Sequence, residues 1–186
     1  MLNTRLLLGV LAFVAIATTS LPADEAAVHV HVPRIRFDDP VVASAMARGT
    51  SRSPTFRRLV ERLSASDVVV YIERRQATGS GRGFNQFVSS TPQARYVRIV
   101  LDVTDANDGV IGLLGHELRH ALEVADAPSV VDQETYAALY RAIGTASCGA
   151  PRWCFDTTAA VGAGRRVFKE VRAAGRSLRA LAGGEE

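Results

Sequence analysis

Apolar positions along this chain change their period several times, and each change marks an element. From Pro40 to Arg48 and from Pro54 to Ser64 they recur at helical spacing, with Phe56, Leu59, Val60 and Leu63 set to face a core. Asp39 or Asp38 before the first segment and Ser53 before the second precede a proline suited to an opening turn. Three strand signals follow: Asp67 to Glu73, with Val68 to Ile72 nearly all apolar; Gly83 to Ser89 around Phe84 and Phe87; and Arg95 to Val103. Their links, Gly79-Ser80-Gly81 and Ser90-Thr91-Pro92-Gln93, are short turn sequences, so an antiparallel meander is expected. Helical spacing returns from about Asn107 to Ala125, capped by Asn107 or Asp105 and broken by Pro128. It returns again from Asp132 to Ile143, before Gly144, and from Asp156 to Ala174, where Ala159, Ala160, Ala163, Val167 and Val171 are available to pack. Gly183 to Glu186 should fray, and no internal repeat is present.

The first residues follow a different logic. Arg5, the apolar run from Leu6 to Ala17 and the small residues from Thr18 to Ala27 have the form of a secretory signal peptide over residues 1–23, cleaved near Ser20 to Ala27. That run is too short to span a bilayer, so no stable membrane span is expected after cleavage; an uncleaved anchor reaching Leu21 is the alternative. Residues 28–182 then form one domain, exported to the periplasm or secreted. Within it, Val28-His29-Val30-His31-Val32 alternates as a short strand or extended arm, and its two histidines lack a nearby third ligand.

Composition narrows the function. With 47% apolar and 22% charged residues in 186, the chain can build one core. The net charge of +3 comes from scattered arginines mixed with 19 acids and with no aromatic-basic cluster, which argues against nucleic acid as a partner. The glycine-rich run Gly79 to Gly83 follows a strand without opening a helix, so it is no phosphate loop. The only cysteines, Cys148 and Cys154, are expected to pair as a disulfide in an oxidising compartment; two alone make no four-ligand zinc set.

The chemistry gathers at Gly115-His116-Glu117-Leu118-Arg119-His120, inside the helix predicted over 107–125. Two imidazoles at i and i+4 lie one turn apart on one face and can share a Zn²⁺. Glu117, about 100° round the helix, can take a proton from a water on that metal, the general-base step of metal-assisted hydrolysis. The bland alternative is a pair of surface or hydrogen-bonded core histidines. A catalytic zinc needs a third ligand, and Glu123, Asp126, Glu134 and Asp156 are the candidates. Glu123 shares the face of His116, but its Cα lies about 10 Å further along the axis, which suits it better to orient His120. Asp126 would need a sharp turn after His120 that the helical sequence does not offer.

The stretch His116 to Glu123 resembles the active-site helix of gluzincin-type zinc metallopeptidases, and its setting resembles small exported bacterial proteins of that type. In that family the third ligand is an acid on a later helix, followed by a small alanine that lets the two helices approach. Asp156-Thr157-Thr158-Ala159-Ala160 is similar to that second motif, with Asp where the family has Glu. The resemblance implies an α+β zincin-like fold: a small antiparallel sheet of about three strands, the motif helix packed on it, and flanking helices. It implies a zinc metallopeptidase acting on peptide or protein substrates outside the cytoplasm, with Zn²⁺ on His116, His120 and Asp156 and Glu117 as base. Asp156 as a helix N-cap, and Glu123 or a water filling the ligand place, stay open. Tyr136, Tyr140 and Arg141 are candidate oxyanion donors that spacing does not separate. The reading from a different class is a non-catalytic zinc-binding envelope protein or an interaction module.

Overall fold

The computed structural model describes residues 33–75, 82–147 and 154–182. The expected signal peptide, the Val28 to Val32 arm, Gly79 to Gly81 and the last four residues lie outside them. A two-residue strand, β1 (Ile35–Arg36), leads into two helices, α1 (Pro40–Arg52) and α2 (Pro54–Ser64). Asp39 caps α1, accepting from the backbone N–H of Val41 and Val42. Ser53 ends α1 and caps α2 through Phe56 N–H, so the chain turns between them on one residue.

Strands β2 (Val68–Arg75), β3 (Arg82–Ser90) and β4 (Arg95–Asp102) fall where the alternation places them, but their order differs from the expected meander. The sheet runs β1-β2-β4-β3, with β2 parallel to β4 and β3 antiparallel to β4. The antiparallel expectation therefore holds for one pair, and the sheet is mixed. Burial explains why. In β4, Val97, Ile99 and Leu101 are buried on the core face and Val100 on the other, which suits a central strand. In β3, Phe84 and Val88 stay exposed, which suits an edge. Nor does the link forbid it: six residues reach about 20 Å, and stepping over one strand needs about 10 Å.

Helix α3 (Asp108–Ala125) lies at the centre, touching α1, α2, α5 and strands β2, β3 and β4. Its Ile111, Leu114, Leu118 and Leu122 join Phe56 and Leu63 from α2 and Ile72, Ile99 and Leu101 from the sheet in one fully dry cluster. Arg95 anchors the far end of α3. Its guanidinium pairs twice with Asp67 at 2.7 Å and donates to the carbonyls of Val124 and Ala127 at 2.7 and 2.6 Å, adding a charged donor to groups that also accept from Ala127 N–H and Val130 N–H. Helix α4 (Gln133–Ile143) carries a reciprocal Asp132/Thr135 cap. The short pair β5 (Thr145–Ala146) and β6 (Phe155–Asp156) precedes α5 (Thr158–Ala182). None of the helices among the described residues is long and apolar enough to cross a membrane.

Candidate metal centre

Helix α3 starts where Asn107 accepts from Val110 N–H, while Asp105 holds Asn107 N–H. From that start the apolar spacing turns His116, Glu117, His120 and Glu123 into the interior and leaves Arg119 at the rim. His120, Glu117 and Glu123 are buried, and His116 is partly so. The last helix begins two residues later than expected, at Thr158. Thr157 is its cap, its Oγ1 accepting from Ala160 N–H at 3.0 Å, so Asp156 is not the N-cap. Instead Asp156 ends β6, paired with Thr145, and its Oδ1 accepts from Thr157 N–H.

That placement aims Asp156 at the histidines. His116 Nε2 and His120 Nε2 are 3.1 Å apart, and Asp156 Oδ1 is 3.4 Å from the first and 3.6 Å from the second. Ligands about 2.0–2.1 Å from a tetrahedral zinc stand about 3.3–3.4 Å from one another, so the three atoms have nearly the dimensions of one face of such a tetrahedron. The proton arrangement fits as well. Glu123 Oε2 lies 2.8 Å from His120 Nδ1, and the Glu123 carboxyl sits below its usual range: burial pushes it up, but hydrogen bonds from His120 and Thr157, with the charges of His120 and Arg119, outweigh that. A carboxylate only accepts, so Nδ1 carries a proton and the ring turns its Nε2 toward the cluster. Burial holds His116 below the usual histidine range, aided by His120 and opposed by Asp156 and Glu123, which favours a neutral, ligating ring. Among the described residues this cluster can hold a metal ion.

Glu117 sits beside it in a different state. Burial raises its carboxyl to about 7, with His120 pulling it down and Asp156 pushing it up, and its Oε2 is buried without a hydrogen-bond partner among the described residues. Strand β3 crosses over it. A Cβ on Gly83 would stand 2.7 Å from Glu117 Oε1, and Asn85 Nδ2 donates to the Glu117 carbonyl at 3.1 Å. Residues 83, 85 and 87 face inward on β3 while Phe84 faces out, so a polar Asn within an inward row was the signal available in the sequence.

The other named residues are placed plainly. Glu123 meets His120 at Nδ1, the ring nitrogen turned away from the cluster, and its Oε1 accepts from Thr157 Oγ1 at 2.6 Å, tying α3 to the start of α5. Asp126 pairs with Arg62 and Arg119 rather than joining the cluster, and Glu134 is exposed in the first turn of α4. Tyr136 donates to the Asn85 carbonyl and Tyr140 to that of His120, each with its phenol raised by burial, while exposed Arg141 donates to Ala137. Of the expected Cys148–Cys154 pair, Cys154 is disulfide-bonded, and Cys148 lies outside the described residues.

Close approach of α3 and α5 completes the assembly. A Cβ on Gly164 would stand 2.9 Å from both the Gly112 carbonyl and His116 Cβ, so only glycine lets the helices meet behind the metal-facing ring. Of the two alanines in the motif after Asp156, Ala160 is buried and Ala159 exposed, and the tight crossing itself falls at Gly164. Comparison with protein-family models, with curated proteins and with solved structures finds no match for this chain.

Proposed function

We propose that this chain is a zinc-dependent hydrolase of peptide bonds that works outside the cytoplasm, with His116, His120 and Asp156 holding the metal and Glu117 as general base. The carrying observation is the pairing of a near-tetrahedral face of three donor atoms with a buried carboxylate oxygen that has no hydrogen-bond partner among the described residues. When bound, zinc supplies a Lewis acid that acidifies water and polarises a carbonyl. Glu117 would take the proton from the attacking water and deliver it to the departing amine nitrogen, a task suited to a carboxylate held beside the three donor atoms. Glu123 holds the His120 tautomer, and Asn85 holds the backbone at Glu117. The substrate is an extended peptide or protein segment laid along the free edge of β3, whose Gly83 passes over the Glu117 carboxylate. Export is supported by the leader-like N-terminus and the oxidised state of Cys154.

One observation favours a non-catalytic zinc centre: the hydroxyls of Tyr136 and Tyr140 are both engaged by backbone carbonyls, so neither is free as an oxyanion donor. One experiment separates the readings. Metal analysis of the purified chain should give about one zinc, lost in His116→Ala and His120→Ala. Glu117→Gln should keep zinc and lower hydrolysis of a peptide library 10²–10⁴-fold. Equal hydrolysis by Glu117→Gln and wild type, both zinc-loaded, refutes the mechanism. Iron in place of zinc would move the site to the redox chemistry that two histidines and a carboxylate also support.

A further inference from the structure

The charge of this protein is not spread evenly over its surface. Helix α5 carries Arg165, Arg166, Lys169, Arg172, Arg176 and Arg179 against the single acid Glu170. That is +5 within a chain whose total is +3, so the remainder sums to −2. At 100° per residue, Arg165, Lys169, Arg172 and Arg176 fall within an arc of about 60° and extend about 16 Å along the axis; Arg179 continues the spacing in the sequence. All four are exposed. Glu170 lies on another side of the helix, where it accepts from Ser53 and Thr55 at the start of α2, so it neutralises none of them.

The pairing habits of the arginines sharpen the contrast. Elsewhere Arg48, Arg62, Arg74, Arg95, Arg98 and Arg119 each meet a carboxylate. Among the described residues, no ion pair involves the cations of the α5 stripe; Arg172 instead lies over the Phe168 ring at 5.3 Å, its charge still open to solvent. Like charges three and four residues apart destabilise a helix, and no ion pair among the described residues offsets this.

We propose that this stripe on α5 is a docking surface for an anionic phospholipid bilayer. A straight row of guanidinium groups presents a line of fork-shaped donors to phosphate headgroups on a flat surface. Export, as the leader-like sequence from Arg5 to Ala17 leads us to expect, takes a chain across a membrane, so a lipid surface is a polyanion it would meet there. Nucleic acid fits less well, because no aromatic residue of the stripe is free to stack on a base; the one ring in reach, Phe168, lies under Arg172. The inference is independent of the metal chemistry.

The test is co-sedimentation of the full chain with vesicles of phosphatidylcholine alone or with about a third phosphatidylglycerol, at low and physiological salt. The readout is the ratio of partitioning between the two, because residues 1–23 are common to every variant. The wild type should prefer the anionic vesicles at least tenfold, and salt should erode the preference. Lys169→Glu/Arg172→Glu/Arg176→Glu should abolish it, and the corresponding Gln triple should reduce it. Arg57→Glu/Arg75→Glu/Arg82→Glu, an equal charge change at other exposed positions, should retain most of it. Equal losses in both Glu triples, or no preference in the wild type, overturns the proposal. Tighter binding to an oligonucleotide, abolished by the α5 triple, would make the stripe a nucleic-acid surface and overturns it too. Circular dichroism confirms that each variant is folded.

Discussion

Glu117 carries a property that stability measurements can read without any substrate. Burial raises its carboxyl from 4.5 to about 7, so between those values the folded metal-free chain holds a proton that the unfolded chain has released. The stabilisation is complete below about pH 4.5 and is lost as pH rises through about 7, by on the order of 3 kcal/mol. Chemical denaturation of the metal-free protein should therefore show a Glu117 contribution that declines between pH 5 and 8, opposed by His116, whose ring is held below its usual range by burial. Glu117→Gln, which cannot ionise, should flatten that decline; an unchanged slope would show that the group titrates normally. Glu123 acts through its neighbours instead, holding the His120 proton and the Thr157 hydroxyl. Replacing it by Ala should weaken zinc binding 10–100-fold, less than loss of a ligand, as measured by competition with a chelator. A loss as large as that in His120→Ala would place Glu123 on the metal.

At the scale of elements, the cluster depends on how closely α3 and α5 cross. Gly164 is the contact, with no room for a Cβ, whereas Gly162, two residues earlier, has nothing within 4 Å. Gly164→Val should cost at least 1–3 kcal/mol by forcing the helices apart, and should lower metal affinity because Asp156 moves with α5. Gly162→Ala should raise stability by up to about 1 kcal/mol, since it removes only backbone freedom from a helix. Thermal melts and metal titrations of the two variants should move in opposite directions. The same reasoning applies at the other end of α3, where Arg95 joins the sheet to the helix carbonyls and so sets the height of the histidines over the strands.

For the whole molecule, the centre draws on α3, β3 and the β6–α5 junction, three stretches far apart in the chain, so metal binding and folding are coupled. Zinc at about 100 times its dissociation constant should stabilise the fold by about 2.7 kcal/mol, a rise of roughly 5–10 °C in Tm. The bonded Cys154 lies two residues before Asp156, which ends the strand that pairs with β5 and packs against α4. If the partner is Cys148, the closed loop is short and the bond contributes about 2 kcal/mol. Reductant should therefore lower Tm and shrink the zinc-induced rise, because the third ligand loses its clamp. A zinc shift of equal size in reduced protein would show that β6 holds Asp156 unaided.

What the sequence determined by itself is what neighbours within a turn or a strand decide. The existence and approximate span of each helix and of strands β2, β3 and β4, Ser53 as the cap of α2, and the facing of His116 with His120 follow from local period and side-chain chemistry; the structure chose Asp39 over Asp38 and Asn107 over Asp105, and made Asp132 a cap rather than the first helical residue. Strand order did not follow, because the alternation in β2, β3 and β4 is compatible with either neighbour; the choice fell to which strand buries both faces. Nor did local pattern place Asp156: an acid before a helix reads equally as a cap, and only the pairing of β6 with β5 and the glycine crossing of α5 on α3 turn it toward the imidazoles. The same holds for Tyr136 and Tyr140, whose hydroxyls are bound to carbonyls on other elements. Such contacts form when distant segments close on one another, and the free energy that selects among closures belongs to the packed core rather than to any stretch of the chain.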